Sequence, residues 1–210
     1  GGTLTANDTA TINITAVNDA PALTTTGSTL AYTENGAATA VDGGLTVSDV
    51  DSTNLSSATV TISSGFATSE DTLAFTDQSG ITGSWNSSTG VLTLSGSATV
   101  ANYQTALRSI TYVNTSDNPS TTTRTVSFVV NDGSANSNTG TRDISVTAVN
   151  DAPVNTVPGV QTTNEDVARV FSSGNGNAIS IADADAGGAN NEITISVTNG
   201  TLTLSGTAGL

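Results

Sequence analysis

The chain has no lysine, histidine, cysteine or methionine. Each absence excludes a chemistry. Without histidine or cysteine there is no base for a Ser-His-Asp or Cys-His nucleophile system. Zinc and haem find neither imidazole nor thiolate. No disulfide can staple the fold. Without lysine, neither a Schiff base nor a lysine isopeptide crosslink can form. Positive charge is scarce too. Four arginines (Arg108, Arg124, Arg142, Arg169) stand against 18 acidic residues, for a net charge of −14. Phosphate recognition needs a basic footprint, so nucleic acid is not an expected partner. No apolar run approaches the ~20 residues that span a bilayer, so no membrane insertion is expected. No signal peptide is visible, and the first residues read as the middle of a domain. The natural N-terminus is therefore expected upstream.

The 210 residues allow one ordinary domain or one and a half. Leu, Ile, Val and Phe make up 45 of them, a share low enough for a flexible linker. The patterning argues against a linker. Apolar residues alternate at period two in many short runs: Ile12/Ile14, Ala58/Val60/Ile62, Leu92/Leu94, Val126/Phe128/Val130, Ile144/Val146 and Ile193/Ile195/Val197. Thr and Val favour strands, and Gly, Asn, Asp and Ser between the runs supply turns. One stretch departs from this: Val100, Tyr103, Ala106, Leu107 and Ile110 recur at helical spacing, which predicts a helical turn or two.

The segment Thr15-Ala16-Val17-Asn18-Asp19-Ala20-Pro21 recurs letter for letter as Thr147-Ala148-Val149-Asn150-Asp151-Ala152-Pro153. Identity at domain-sized spacing signals tandem repetition. More loosely, Thr33-Glu34-Asn35 matches Asn164-Glu165-Asp166. Ser48-Asp49-Val50-Asp51 matches Ala182-Asp183-Ala184-Asp185, and Ala58–Ile62 matches Ile193–Val197. The expected organisation is the last strand of one repeat (1–20), a complete repeat (21–152) and the N-terminal half of a third (153–210), cut from a longer array. The complete repeat has seven to nine period-two runs, which predicts an all-β, antiparallel Greek-key β-sandwich. Trp85, Phe75, Phe128, Tyr112 and Leu107 are its expected bulky core. Trp85 could instead be a sugar-stacking platform, but its place beside Ile81 favours the core.

The acidic residues fall in the linkers and in turns beside strand ends. Carboxylates gathered at one end of a sandwich repel one another unless a cation lies between them. Hard oxygen ligands without His or Cys select Ca²⁺, which accepts 6–8 oxygens in flexible geometry. The plain alternative is that Asp and Asn are turn residues bonding their own backbone. For Asp49 and Asp51 the two readings balance; for Asp19, Asp151 and Glu34 the ligand reading is favoured. Asp8, Asp42, Asp77, Asp143 and Glu192 read as solvated surface, and Glu70-Asp71 as a possible turn.

The Thr33-Glu34-Asn35 segment resembles the Pro-Glu-Asn of cadherin repeats, and Ser48-Asp49-Val50-Asp51 resembles their Asp-x-Asp loop. Val130-Asn131-Asp132-Gly133 resembles the late Ala-x-Asp turn. Asn18-Asp19 and Asn150-Asp151, each with Pro two residues on, resemble the Asp-x-Asn-Asp-x linker. With a repeat ending in Ala-Val-Asn-Asp-Ala-Pro, the set is similar to the cadherin-like tandem repeats of giant bacterial (RTX-type, type I secreted) surface adhesins. Tyr103-Gln104-x-x-Leu107-Arg108-x-Ile110-x-Tyr112 is similar to those repeats as well.

The resemblance implies cadherin/immunoglobulin-like sandwiches joined by short Ca²⁺-binding linkers. Asn18, Asp19, Asp49, Asp51 and Asp132 would serve a first junction. Glu34, Asp117, Asn150, Asp151, Asp183 and Asp185 would serve a second, and Glu165 a third beyond this chain. Two departures matter. Ala16 and Ala148 stand where the family linker has Asp, and Asp117-Asn118-Pro119 lacks the family's Glu. One well-formed Ca²⁺ site per junction, or two, is therefore expected rather than three.

The implied function is an extracellular, non-catalytic extender of an adhesin or surface fibre, with adjacent repeats, and like chains in a fibre, as its partners. Two alternatives compete: a glycan- or protein-binding module, and a fibre subunit completed by neighbouring chains. Paired carboxylates hydrolyse glycosides without His, Cys or Lys, and only Glu70/Asp71 or Asp49/Asp51 could do so here. One Trp and three Tyr make an aromatic sugar cleft hard to build, so catalysis is not expected.

Overall fold

The computed structural model describes Gly2 and residues 7–206. The chain divides into two compact units, Gly1–Ala148 and Val149–Leu210. The first unit begins with residues 7–21, which form no strand. Its strands then follow in order: β1 (Ala22–Thr24), β2 (Leu30–Thr33), β3 (Thr39–Ala40), β4 (Thr46–Ser48), β5 (Asn54–Ser64), β6 (Asp71–Ala74), β7 (Thr82–Asn86) and β8 (Val91–Thr99). A helix, α1 (Val100–Arg108), precedes β9 (Thr111–Asn114), β10 (Arg124–Asn131) and β11 (Gly140–Thr147).

These strands build a β-sandwich. One sheet has six strands in the order β2-β11-β10-β5-β8-β7, a second has three in the order β3-β9-β6, and β1 pairs with β4. The alternation read from sequence is the alternation of burial. Along β10, Arg124, Val126, Phe128 and Val130 point inward, while Thr125, Ser127, Val129 and Asn131 lie on the outer face. On β5, Ala58, Val60 and Ile62 are buried, and Leu92 and Leu94 are buried on β8. Tyr112 and Leu73 of the smaller sheet join the same core. Each Val, Leu, Ile or Phe side chain among them contributes about 1.5–3 kcal/mol on full burial.

The helical spacing gives α1, which buries Tyr103, Ala106 and Leu107. The Thr99 side chain caps its first turn, accepting from the Asn102 N–H. Phe128, Tyr112 and Leu107 are fully buried as expected. Trp85 and Phe75 are only partly buried against the core. Trp85 meets Phe66 edge-on, with ring centroids 6.2 Å apart.

Three expectations need correction. The sandwich is not wholly antiparallel: β11 pairs with β2 in parallel, from Ile144↔Leu30 to Thr147↔Thr33, so the last strand of the unit closes beside an early one. Asp42 is not surface but fully buried. Its Oδ2 accepts from the Thr26 N–H at 2.8 Å, and its Oδ1 from the Gly44 N–H at 3.0 Å. Its Oδ1 also pairs with Arg142 Nη1 at 3.2 Å. Asp71 is not a plain turn residue either. It is buried on β6, within a charged network with Arg124.

The second unit carries β12 (Val154–Thr156), a short 3-10 turn (Ser173–Asn175) and β13 (Ser180–Ala182). β12 and β13 pair in the register Val154↔Ala182, Asn155↔Ile181, Thr156↔Ser180. β1 and β4 pair as Ala22↔Ser48, Leu23↔Val47, Thr24↔Thr46. The two pairings correspond residue for residue along the sequence match, so the second unit opens with the same strand register as the first.

Two predicted period-two runs are not strands. Ile12 and Ile14 are 83% and 91% exposed, and Ile193, Ile195 and Val197 are about half exposed. The strand that matches the latter run, β5, lies between β8 and β10. The second unit has no counterpart of those neighbours among its described residues. Strand geometry is held by partners, and these runs have none among the described residues. Of the predicted first segment, 1–20, residues 1 and 3–6 lie outside the described residues.

Candidate functional site

The carboxylates singled out from sequence gather at strand ends. Asp49 and Asp51 lie between β4 and β5, and Asp132 directly follows β10. β5 and β10 are antiparallel neighbours, so the start of one meets the end of the other, with Asn131 opposite Ser57. The linker residues Asn18 and Asp19 join this end of the sandwich. Asn18 Nδ2 donates to Asp132 Oδ2 at 2.9 Å, and the Asp19 N–H donates to Asp51 Oδ2 at 3.2 Å. Asp49 Oδ1 accepts from the N–H groups of Asp51 and Ser52, at 3.1 and 2.8 Å. All five residues assigned to the first junction are thus brought together in one unit.

Asp132 is the best satisfied of them. Its Oδ1 accepts from the N–H groups of Ser134 and Ala135, at 2.6 and 2.7 Å. The Ala135 N–H first, then the Asn18 amide and the Ser134 N–H, hold its carboxyl below the ordinary 3.8. Hydrogen bonds to the charged form are the cause.

The second unit repeats the part of this arrangement formed by Asn18, Asp19, Asp49 and Asp51. The Asp151 N–H donates to both Asp185 carboxylate oxygens at 3.2 Å. The Asp185 N–H donates to Asp183 Oδ1 at 3.4 Å, as the Asp51 N–H does to Asp49. Asn150 Nδ2 donates to the Asp151 carbonyl at 2.6 Å, as Asn18 Nδ2 does to that of Asp19 at 3.0 Å. Two sequence copies therefore fold into one local structure.

Glu34 and Asp117 belong to the first unit's other end, since Asp117 precedes β10 while Asp132 follows it. Glu34 is buried, and its N–H donates to the Thr147 carbonyl at 3.0 Å. Its neighbour Asn35 adopts a left-handed backbone (φ 54°) and donates through Nδ2 to Asp117 Oδ1 at 2.8 Å. Sequence reading missed Asn35 as the link. The signal was its Asn-Gly step, which invites positive φ.

The donor chemistry suits a hard cation. All the acidic side chains and carbonyls here offer oxygen, and Asp49 Oδ2 is buried without a hydrogen-bond donor. A buried carboxylate oxygen with no partner is costly, and a cation would satisfy it. Among the described residues, no three carboxylates converge closely enough to hold a metal ion. Like charges repel, and Asp49, Asp51 and Asp132 accept from N–H donors instead. Binding would therefore have to draw the side chains inward.

Of the two pairs considered for hydrolysis, Glu70 and Asp71 lie in an ion-pair network with Arg124. Asp71 Oδ1 accepts from the Tyr112 hydroxyl at 2.6 Å and from Asn114 Nδ2 at 2.9 Å. Its Oδ2 accepts from the Ala67 N–H at 2.8 Å and from Arg124 Nε at 3.1 Å. Glu70 pairs with Arg124 Nη2 at 3.3 Å. Burial, reinforced by the Asp71 carboxylate, pushes the Tyr112 hydroxyl far up, so it remains a donor.

No family model matches this chain. An alignment over 115 positions, covering 52% of the chain, is 44% identical to Halomucin of Haloquadratum walsbyi. The chain covers only 1% of that protein's length. No helix among the described residues is long and apolar enough to cross a membrane.

Proposed function

We propose that this chain is a non-catalytic extender segment of a long extracellular or cell-surface protein, built from tandem β-sandwich repeats and stiffened by Ca²⁺ at the repeat ends. One observation carries the reading. The β1/β4 pairing and the Asn-Asp/Asp-x-Asp hydrogen bonds recur as β12/β13 and Asn150-Asp151/Asp183-Asp185. A mechanical function needs this: one unit and one joint, copied along the chain, with stability set by each unit and its neighbours. The likeness to a stretch amounting to 1% of Halomucin fits a module within a very long chain.

In this reading Asp49, Asp51 and Asp132, with Asn18 and Asp19, hold the cation at one end of a repeat. Glu34 and Asp117 serve the other end, and Asn150, Asp151, Asp183 and Asp185 form the next copy. The cation supplies charge neutralisation among carboxylates that otherwise repel. The chain's own residues set the linker's path and bury Asp49 Oδ2. A site with few carboxylates that must reorganise suits the weak affinity of extracellular modules, with Kd about 10⁻⁴–10⁻³ M. The absence of disulfides is then offset by metal at each repeat end.

Calorimetric titration of the chain with Ca²⁺ tests the assignment. Replacing Asp49 and Asp51 together by Ala should abolish binding at the first set and leave the Asp183/Asp185 set intact. Asp77→Ala, an exposed carboxylate that only accepts from the Gly83 N–H, should change nothing. Equal losses in the two variants would refute it.

A further inference from the structure

We infer that each Asn-Asp linker is a latch belonging to the repeat that follows it, docked on that repeat's own loops without any metal, with the preceding alanine as the pivot. Three observations converge. Asn18 and Asp19 are bonded to Asp132 and Asp51, residues of the sandwich downstream of them. Asp151 is bonded to Asp185 in the same sense, 34 residues downstream. The division between the compact units falls at Ala148/Val149, before the Asn-Asp pair and not after it.

The neighbouring anchors locate the pivot. On the upstream side, β11 ends at Thr147, whose carbonyl accepts from the Glu34 N–H at 3.0 Å. On the downstream side, Asp151 is held by Asp185. Ala148 lies between the two anchors and has no side chain able to bond to either. Ala16 holds the same place in the first copy. A residue without polar side-chain atoms at this step adds no side-chain tie, so bending concentrates between the Thr147 and Asp151 anchors, at the unit boundary beside Ala148. The hydrogen bonds that dock the linkers on the loops use backbone or amide N–H donors on carboxylates, so they are charge-assisted and form without a cation.

This inference deepens the extender reading but stands apart from its calcium requirement. ¹⁵N relaxation of the full chain in chelator tests it. The Asp19 and Asp151 amides should show heteronuclear NOE values as high as strand residues of their own units, with the minimum at Ala148. Asp185→Ala should drop the Asp151 value and leave Asp19 unchanged; Asp51→Ala should do the reverse. Unchanged spectra of the buried Phe128 and Tyr112 serve as the folding control. Low NOE at Asp19 and Asp151 in chelator would overturn the latch even if Ca²⁺ restored it, while leaving the calcium reading intact. So would Asp185→Ala having no effect on Asp151.

Discussion

Arg124→Met should lower the stability of the first unit by about 3–5 kcal/mol, the scale for breaking a buried ion pair. Arg124 is fully buried although it opens a strand. Its Nε lies 3.2 and 3.1 Å from the two Asp71 oxygens, and its Nη2 reaches Glu70 at 3.3 Å. Its Nη1 donates to the carbonyls of Ser120 and Thr122. Removing the guanidinium leaves Asp71 a buried charge, 3% exposed, and strips two carbonyls of their donor. Lysine does not substitute, because one ammonium cannot fork between two carboxylates and two carbonyls.

For a chain of this size each kcal/mol moves the melting point by about 2–4 °C. The variant should therefore melt about 10 °C lower, by differential scanning calorimetry. Arg124→Met combined with Asp71→Leu should recover part of the loss, since a hydrophobic pair avoids the stranded charge. A shift of less than about 1 kcal/mol in the single variant would mean that Asp71 is not held as a buried carboxylate, given the 3–5 kcal/mol expected.

Gly96→Ala should be comparably severe, and for a different reason. β8 carries one residue more than β5 between the Ser57↔Ser95 and Leu55↔Ala98 pairs, which is a β-bulge. Gly96 lies within it at φ +129°, a backbone conformation costing of order 1–3 kcal/mol for a residue with a Cβ. A Cβ there would also stand 2.2 Å from the Gly80 carbonyl oxygen, and a backbone atom cannot swing aside as a side chain does. Overpacking adds about 1–3 kcal/mol. Gly133→Ala separates the two effects. Gly133 has φ +105° but nothing closer than 4.0 Å to a built Cβ, so it reports strain alone. Urea midpoints should fall for both, and further for Gly96→Ala. Equal shifts would show that Gly80 moves without cost.

Much of this architecture was legible because it is local. Val126/Phe128/Val130 announces a half-buried strand, Tyr103/Ala106/Leu107 announces a helix, and the copied Asn-Asp-Ala-Pro announces the repeat. The ends of the sandwich were legible for the same reason, since Asp49, Asp51 and Asp132 each lie beside a strand terminus.

What escaped was long-range. Asp42 before Gly43-Gly44 has the look of an exposed turn, and only the return of Arg142, a hundred residues on in β11, makes it a buried ion pair. Asp71 was ambiguous until Arg124, Tyr112 and Asn114 closed around it from two other strands. The parallel pairing of β11 with β2 escaped too, because period two carries no strand direction. Ile193/Ile195/Val197 failed in the opposite sense. The period was right, but a strand forms only beside its neighbours, and β5 owes its geometry to β8 and β10.

The central claim is that the acidic strand ends hold Ca²⁺ and that the metal stabilises the repeats. Melting the chain in Ca²⁺ and in chelator, at matched ionic strength, tests it most directly. At Ca²⁺ about a hundredfold above Kd, binding to the folded state alone contributes about 2.7 kcal/mol per site. The melting point should rise by roughly 5–10 °C for each site filled. The Asp49→Ala/Asp51→Ala variant should lose the share due to the first set. An identical melting point with Ca²⁺ and with chelator would contradict the account.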